Sequence, residues 1–210
     1  MRQKPPNRNE AGTMTWMLTA SGGVVNLHHL APDTLHLHDI AHHLARTDRY
    51  NGACKRPYSV AEHSLLVCDI LATEFGERDP TVLLAALLHD AHEAYTGDLA
   101  SPMKQIIGDA WAIEEHRIAY AVRRRFGVAE AYASAANHIH SADMMALSTE
   151  RLQLLPPSGP VWPCTLSHPP VKWINLDDQA QFDWEDWRDG FMDRFDELNF
   201  AIELERQERG

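Results

Sequence analysis

A chain of 210 residues, 44% hydrophobic and 23% charged, has the length and composition of one globular domain with a full core. Its 19 Lys and Arg against 30 Asp and Glu leave a formal charge of −11, which argues against a binder of nucleic-acid polymer or of an anionic membrane. Three cysteines, Cys54, Cys68 and Cys164, include no C-x-x-C pair, so neither a disulfide framework nor a thiolate zinc site is expected. No apolar leader follows Met1 and no run reaches transmembrane length, so the expected location is the cytoplasm.

Residues 1–12 are polar and rich in Pro and Asn, and are expected to form a disordered tail ahead of a single domain over 13–210. Two apolar runs, Trp16-Met17-Leu18 and Val24-Val25-Asn26-Leu27, flank Gly22-Gly23 and predict a small hairpin. Pro32-Asp33-Thr34 signals a turn. Ile40, Ala41, Leu44 and Ala45 recur at helical spacing and predict a helix from His38 or Asp39 to about Arg49. Six histidines fall between His28 and His43, but the adjacent pairs His28-His29 and His42-His43 point apart, so a functional cluster is not the expected reading.

A loop follows over 51–57. Ser59, with Glu62 three residues later, has the capping-box pattern and opens a helix that runs to about Phe75, where Gly76 ends it. Asp79 and Pro80 open the next helix, apolar on every face from Val82 to Leu88 as a buried helix is, and predicted to continue to near Gly97. Further helices are predicted over 102–107, over 110–126 with Arg123, Arg124 and Arg125 in the last turn, and over 129–153. Six prolines predict loop over 156–170. The final helix, 177–205, carries the apolar series Phe182, Trp184, Trp187, Phe191, Phe195 and Leu198. Strand signal is thin elsewhere, so the expected fold is all-α with one small N-terminal hairpin.

The chemistry concentrates at the end of the central apolar run. Read as helix, His89 and Glu93 stand four apart on one face, with Asp90 three before Glu93. Ionisable groups at the buried end of an apolar helix need a partner, because an unpaired buried charge is costly, and a divalent cation takes imidazole and carboxylate together. From this stretch alone, a metal site and a hydrogen-bonded core pair are equally open. Two other helices add donors on stripes that read as buried: His63 with Val60, Val67 and Ile70, and Asp143 with Ile139, Leu147 and Glu150. His63, His89, Asp90 and Asp143 make a two-histidine, two-aspartate set. It suits a divalent ion (Mn, Co, Zn or Mg, which the residues do not distinguish) and leaves coordination positions open for water.

The order His63, His89-Asp90, Asp143 resembles the signature of the HD-domain phosphohydrolases. Tyr58-Ser59-Val60-Ala61-Glu62-His63-Ser64 and Leu88-His89-Asp90-Ala91-His92-Glu93-Ala94-Tyr95-Thr96-Gly97-Asp98 are similar to the bacterial HD-domain 5′-deoxynucleotidases. Asp39-Ile40-Ala41, and Ala142-Asp143 followed by Thr149-Glu150-Arg151, are similar to the prophage and phage branch, which includes deoxynucleotidases and dATP triphosphohydrolases. The resemblance covers about residues 14–155 and the final helix. The loop 156–170 matches loosely, and His92 stands where a small polar residue is commoner.

The resemblance implies an HD-domain helical bundle that holds a metal on His63, His89, Asp90 and Asp143. Glu93 would exchange a proton with water or with the leaving oxygen; its alternative role is to hold a ligand histidine. Arg49 and Tyr50 would meet phosphate and sugar, and Asp98 the sugar 3′-hydroxyl. Lys104 could neutralise further phosphates or be merely solvated, and Trp16 could stack on a base or belong to the core. The implied substrate is a 5′-deoxynucleotide. Monophosphate and triphosphate both stay open, with Lys55, Arg56 and Lys104 as candidate cations for the longer chain. A non-catalytic nucleotide-sensing module is the reading from another class. The aromatic-rich final helix offers apolar surface for a homo-oligomer.

Overall fold

The computed structural model describes residues 15–209, so the expected tail over 1–12 lies outside them. Trp16–Leu18 (β1) and Val24–Asn26 (β2) pair antiparallel, with Met17 opposite Val25, as the hairpin pattern predicts. Gly22 turns the chain at a φ of +82°, a left-handed conformation that glycine adopts without a Cβ clash. The turn is tied to the first helix: the Asp39 carboxylate accepts from Ser21 N (2.7 Å) and Ser21 Oγ (2.8 Å). Burial pulls the Asp39 pKa up, but the Ser21 hydrogen bonds hold it below the usual carboxylate value.

The remaining elements are helices: Leu37–Ala45 (α1), Val60–Glu74 (α2), Pro80–Leu87 (α3), Glu93–Thr96 (α4), Ser101–Ile107 (α5), Asp109–Arg125 (α6), Ala129–Gln153 (α7), Cys164–Ser167 (α8) and Trp184–Arg209 (α9). The fold is all-α with one small hairpin, as expected. The α3 helix is central, packed against α2, α7 and α9. Leu84, Ala85, Ala86, Leu87 and Leu88 are each no more than 1% exposed, which is why this stretch is apolar all round. Each fully buried leucine here contributes about 1.5–3 kcal/mol relative to leaving it in water. From the other side α9 buries Phe191, Leu198 and Ile202, while Phe182 of the expected apolar series is exposed and precedes the helix. All three cysteines are free, and among the described residues no helix is long and apolar enough to cross a membrane.

Four departures from the expected elements bear on the site. First, α1 ends at Ala45, not near Arg49, because the next residues pair with the chain before α2. Asp48 bridges Ser59, Arg49 N donates to Tyr58 O (2.8 Å), and Val60 N donates to Thr47 O (3.0 Å). That pairing carries Arg49 to the interior. Second, only half of the capping box forms. Ser59 Oγ accepts from Glu62 N (3.2 Å), but the Glu62 carboxylate turns to Arg56 (2.5 and 2.9 Å). Third, α3 stops at Leu87 instead of reaching Gly97; residues 88–92 are successive turns before the short α4. Fourth, the proline-rich stretch contains one helical turn, α8, and the final helix begins at Trp184 after a separate turn over Leu176–Gln179.

Candidate metal centre

The break after Leu87 builds the centre. Leu88 leaves helical geometry at φ −95° and ψ 11°, and the freed carbonyls find tight partners. His89 N and His89 Nδ1 both donate to Ala86 O (3.2 and 2.8 Å), and Arg123 Nη2 donates to His89 O (3.1 Å). His89 therefore caps α3 with one ring nitrogen and presents the other, Nε2, to the core. The shared helical face expected for His89 and Glu93 does not exist; successive turns, with Glu93 N donating to Asp90 O (2.9 Å), bring these side chains to one region.

Three of the four expected donors form one group, and the fourth, Asp143, reaches it through His63. His63 Nε2 lies 3.3 Å from His89 Nε2, 3.2 Å from Asp143 Oδ1 and 3.7 Å from Asp90 Oδ2, and His89 Nε2 lies 3.1 Å from Asp90 Oδ2. The donor atoms of His63, His89 and Asp90 all fall within 4.8 Å of one another, and Asp143 joins them through His63. The protonation pattern decides what such a set can hold. Glu150 and the Ala86 carbonyl accept from the Nδ1 atoms of His63 (2.6 Å) and His89 (2.8 Å), so in neutral rings both Nε2 atoms carry lone pairs. The two imidazole lone pairs then face each other at 3.3 Å, with an Asp90 oxygen 3.1 Å from His89 Nε2 and an Asp143 oxygen 3.2 Å from His63 Nε2, and no proton between them. Only a positive charge relieves that arrangement. Without a metal a proton takes the place: burial and Arg49 oppose it, but Glu150 and Asp143 raise the His63 pKa to about 9. The residues fit a divalent cation bound by nitrogen and oxygen donors.

Glu150, seven residues after Asp143 on α7, is the organising group that the sequence reading left without a role. It is fully buried and accepts from His63 Nδ1, from Tyr58 Oη (3.0 Å), from Arg49 Nε (3.3 Å) and from the Tyr50 hydroxyl. Burial works against its charge, but Arg49 and His63 hold its pKa well below the usual range. Its signals in the sequence are its place two turns beyond Asp143 on a buried stripe and its position within Thr149-Glu150-Arg151. Glu150→Ala leaves the Arg49 guanidinium, itself 7% exposed, without its main counter-charge. The expected loss is about 3–5 kcal/mol of stability, read as a lower thermal midpoint. Because the folded-state pKa is depressed, the Glu150 contribution is full above the unfolded glutamate pKa and fades as pH falls below it. The midpoint gap between wild type and variant should therefore narrow in acid; a constant gap would contradict an ionised Glu150.

Around this cluster the remaining expected residues divide. Arg49, Tyr50 and Asp98 line one cavity of about 650 Å³ with Leu147, Leu155 and Trp162. Arg49 Nη1 lies 3.9 Å from Asp90 Oδ2, so the guanidinium stands between the donor cluster and the cavity. Tyr50 (φ 57°) and Asn51 (φ 51°) are two consecutive non-glycine residues in left-handed geometry. Such strain costs on the order of 1–3 kcal/mol per residue, and here the bonds to Glu150 offset it. Trp16 is half-buried in β1 and does not line this cavity. The aromatic wall comes instead from Tyr50 and Trp162, whose ring centroids are 6.0 Å apart. Trp162 lies in the proline-rich loop, where the sequence reading looked for no ligand contact.

Glu93 is 3% exposed; its Oε2 has no partner and its Oε1 is 3.8 Å from Lys104 Nζ. Burial first, then the charges of Asp90 and Asp98, push its pKa well above the glutamate value. Lys104 is not free for phosphate: its ammonium is 2.6 Å from Glu115 Oε1. Lys55 is paired with Asp177 (2.7 Å) and Arg56 with Glu62. Asp90, His92 and Glu93 form a second group with donor atoms within 4.8 Å, and His92, buried, has no hydrogen-bond partner on either ring nitrogen. Among the described residues, the N-terminal histidines form no such group.

The family model of the HD domain matches residues 58–163, half of the chain, and spans His63, His89, Asp90 and Asp143. This chain belongs to the HD domain family. Members are generally metal-dependent hydrolases, which agrees with a histidine and aspartate cluster able to hold a divalent ion. The uncharacterized protein YfdR of Escherichia coli K12 is 29% identical over 163 residues, 78% of this chain and 85% of that protein. An uncharacterized protein of Rhodobacter capsulatus is 42% identical over 118 residues, 54% of this chain and 59% of that one.

Proposed function

We propose that this HD domain protein is a metal-dependent phosphohydrolase that cleaves the 5′-phosphate ester of a 2′-deoxynucleotide, yielding deoxynucleoside and phosphate. The observation that carries the reading is the convergence of four lone-pair donors, His63, His89, Asp90 and Asp143, beside a 650 Å³ cavity lined by Arg49, Tyr50 and Asp98. A bound divalent cation lowers the pKa of its water and polarises a phosphoryl oxygen. The chain supplies the rest. Arg49 offers a permanent cation to the phosphate from a buried position that Glu150 fixes. Asp98 accepts from a sugar hydroxyl at the cavity wall. Glu93, whose pKa burial and acidic neighbours raise, donates to the leaving 5′-oxygen and gives it a neutral exit.

Monophosphate is favoured over triphosphate. A longer phosphate chain needs further cations, and Lys55, Arg56 and Lys104 are each already committed to a carboxylate. Incubation with dAMP, dATP and ATP in added Mn²⁺, Co²⁺ or Mg²⁺, with products resolved by ion exchange, tests this. Phosphate and deoxyadenosine from dAMP are expected. Tripolyphosphate from dATP would instead support the triphosphohydrolase, and bound nucleotide without release would support a sensor. A homo-oligomer belongs to the same reading, supported by exposed Phe200 and Leu204 on α9 and by Ile106 and Ile113 on α5 and α6.

A further inference from the structure

Resting on the nucleotide reading above, we propose that the cavity beside the donor cluster is a slot for an uncharged planar base, and that Trp162 of the proline-rich loop is its stacking wall. At about 650 Å³ the cavity is in the size range of small-molecule sites, about 300–1,000 Å³, and it is lined mainly by apolar groups. Of its charged lining groups, Arg49 and Asp98, Arg49 also faces the donor cluster, 3.9 Å from Asp90 Oδ2. Phosphate and sugar are thereby assigned to that end. The rest of the lining includes Trp162, Pro163, Cys164 and Leu155, with no carboxylate or amine among them. An aromatic ring of any identity stacks there, because every base has a π-face.

Both halves of the aromatic wall are held before any ligand arrives. Tyr50 is pinned by its hydroxyl on Glu150, under the Arg49 guanidinium 5.2 Å from its ring centroid, and its left-handed backbone persists only because those contacts over-determine it. Trp162 is fixed from the loop side. Arg151 Nη1 and Nη2 donate to Pro156 O (2.7 Å) and Ser158 O (3.0 Å), and the same guanidinium lies 5.4 Å from the Trp162 ring. Thr165 closes the turn with two bonds to Trp162 O, from N (3.0 Å) and Oγ1 (2.7 Å). A wall held in this way costs little conformational entropy on binding.

The test separates base stacking from chemistry. Wild type, Trp162→Ala and Trp162→Phe are compared on dAMP and on 2-deoxyribose 5-phosphate, which has the sugar and phosphate but no base. The expected result is a KM for dAMP raised by about tenfold or more in Trp162→Ala, largely restored in Trp162→Phe, with kinetics on 2-deoxyribose 5-phosphate unchanged. Equal effects on both substrates, or none on dAMP, would overturn the slot. If no phosphate ester is turned over, the proposed function has failed, and binding of deoxyadenosine by calorimetry decides the slot alone. Binding by wild type and Trp162→Phe but not by Trp162→Ala sustains it; equal binding by all three, or none, removes it.

Discussion

Asp90→Ala is expected to leave a folded protein with neither bound metal nor hydrolytic activity. Asp90 Oδ2 lies within 3.1–3.7 Å of both imidazole Nε2 atoms, and it is the donor that closes the group of three. Burial works against its charge, but the His89 ring beside it holds the Asp90 carboxyl well below the usual carboxylate range, so Asp90 is an ionised ligand at neutral pH. Removing it leaves two neutral imidazoles and Asp143, a weaker set for a hard or borderline ion. Asp90 is partly exposed and lies in turns after α3, so the loss falls on the site more than on the core. Metal content by mass spectrometry and turnover of dAMP are the two measurements. A variant that retains one equivalent of ion would show that the four residues are not its ligands.

Glu93→Gln should keep the metal and lose turnover by about 10²–10⁴-fold, the range for a missing general acid or base. Gln preserves the shape of a side chain that is 3% exposed, so packing survives while the transferable proton does not. The pH profile carries further information. Burial and the neighbouring carboxylates raise the Glu93 pKa, so its acid form persists above the ordinary glutamate range and the wild-type rate falls on the alkaline side as the proton is lost. The variant should lack that alkaline fall. A near-normal kcat in Glu93→Gln would reduce the residue to scaffolding.

Local pattern in the chain was sufficient for the presence of the main helices and for naming the candidate donors. The all-apolar run Val82–Leu88 requires burial wherever it sits, and a histidine or aspartate on such a stripe requires a charged partner whatever the neighbouring elements do. His63, His89, Asp90 and Asp143 could therefore be named before their distances were known. The path between them was not legible. The α3 helix stops at Leu87 because the His89 ring and N–H cap Ala86 O, a competition that periodicity does not register. It is these turns, and not a helical face, that direct His89, Asp90 and Glu93.

What only the tertiary structure decided is which charges are already used and which walls meet. Glu150 binds Arg49 across 101 positions of sequence and His63 across 87, so its part as the buried anion beneath the site has no local trace. The charge of Lys104 looked available for phosphate until Glu115, on the neighbouring α6, was found to hold it. The sequence offers Trp16, in the predicted hairpin, for base stacking and gives no role to Trp162 of the proline-rich loop, yet of the two it is Trp162 that lies across from Tyr50. Residue type and spacing determine the chemistry a side chain can perform, because burial and donor character belong to the residue and its helix. Whether that side chain is free to perform it depends on partners that are distant along the chain and adjacent only after folding.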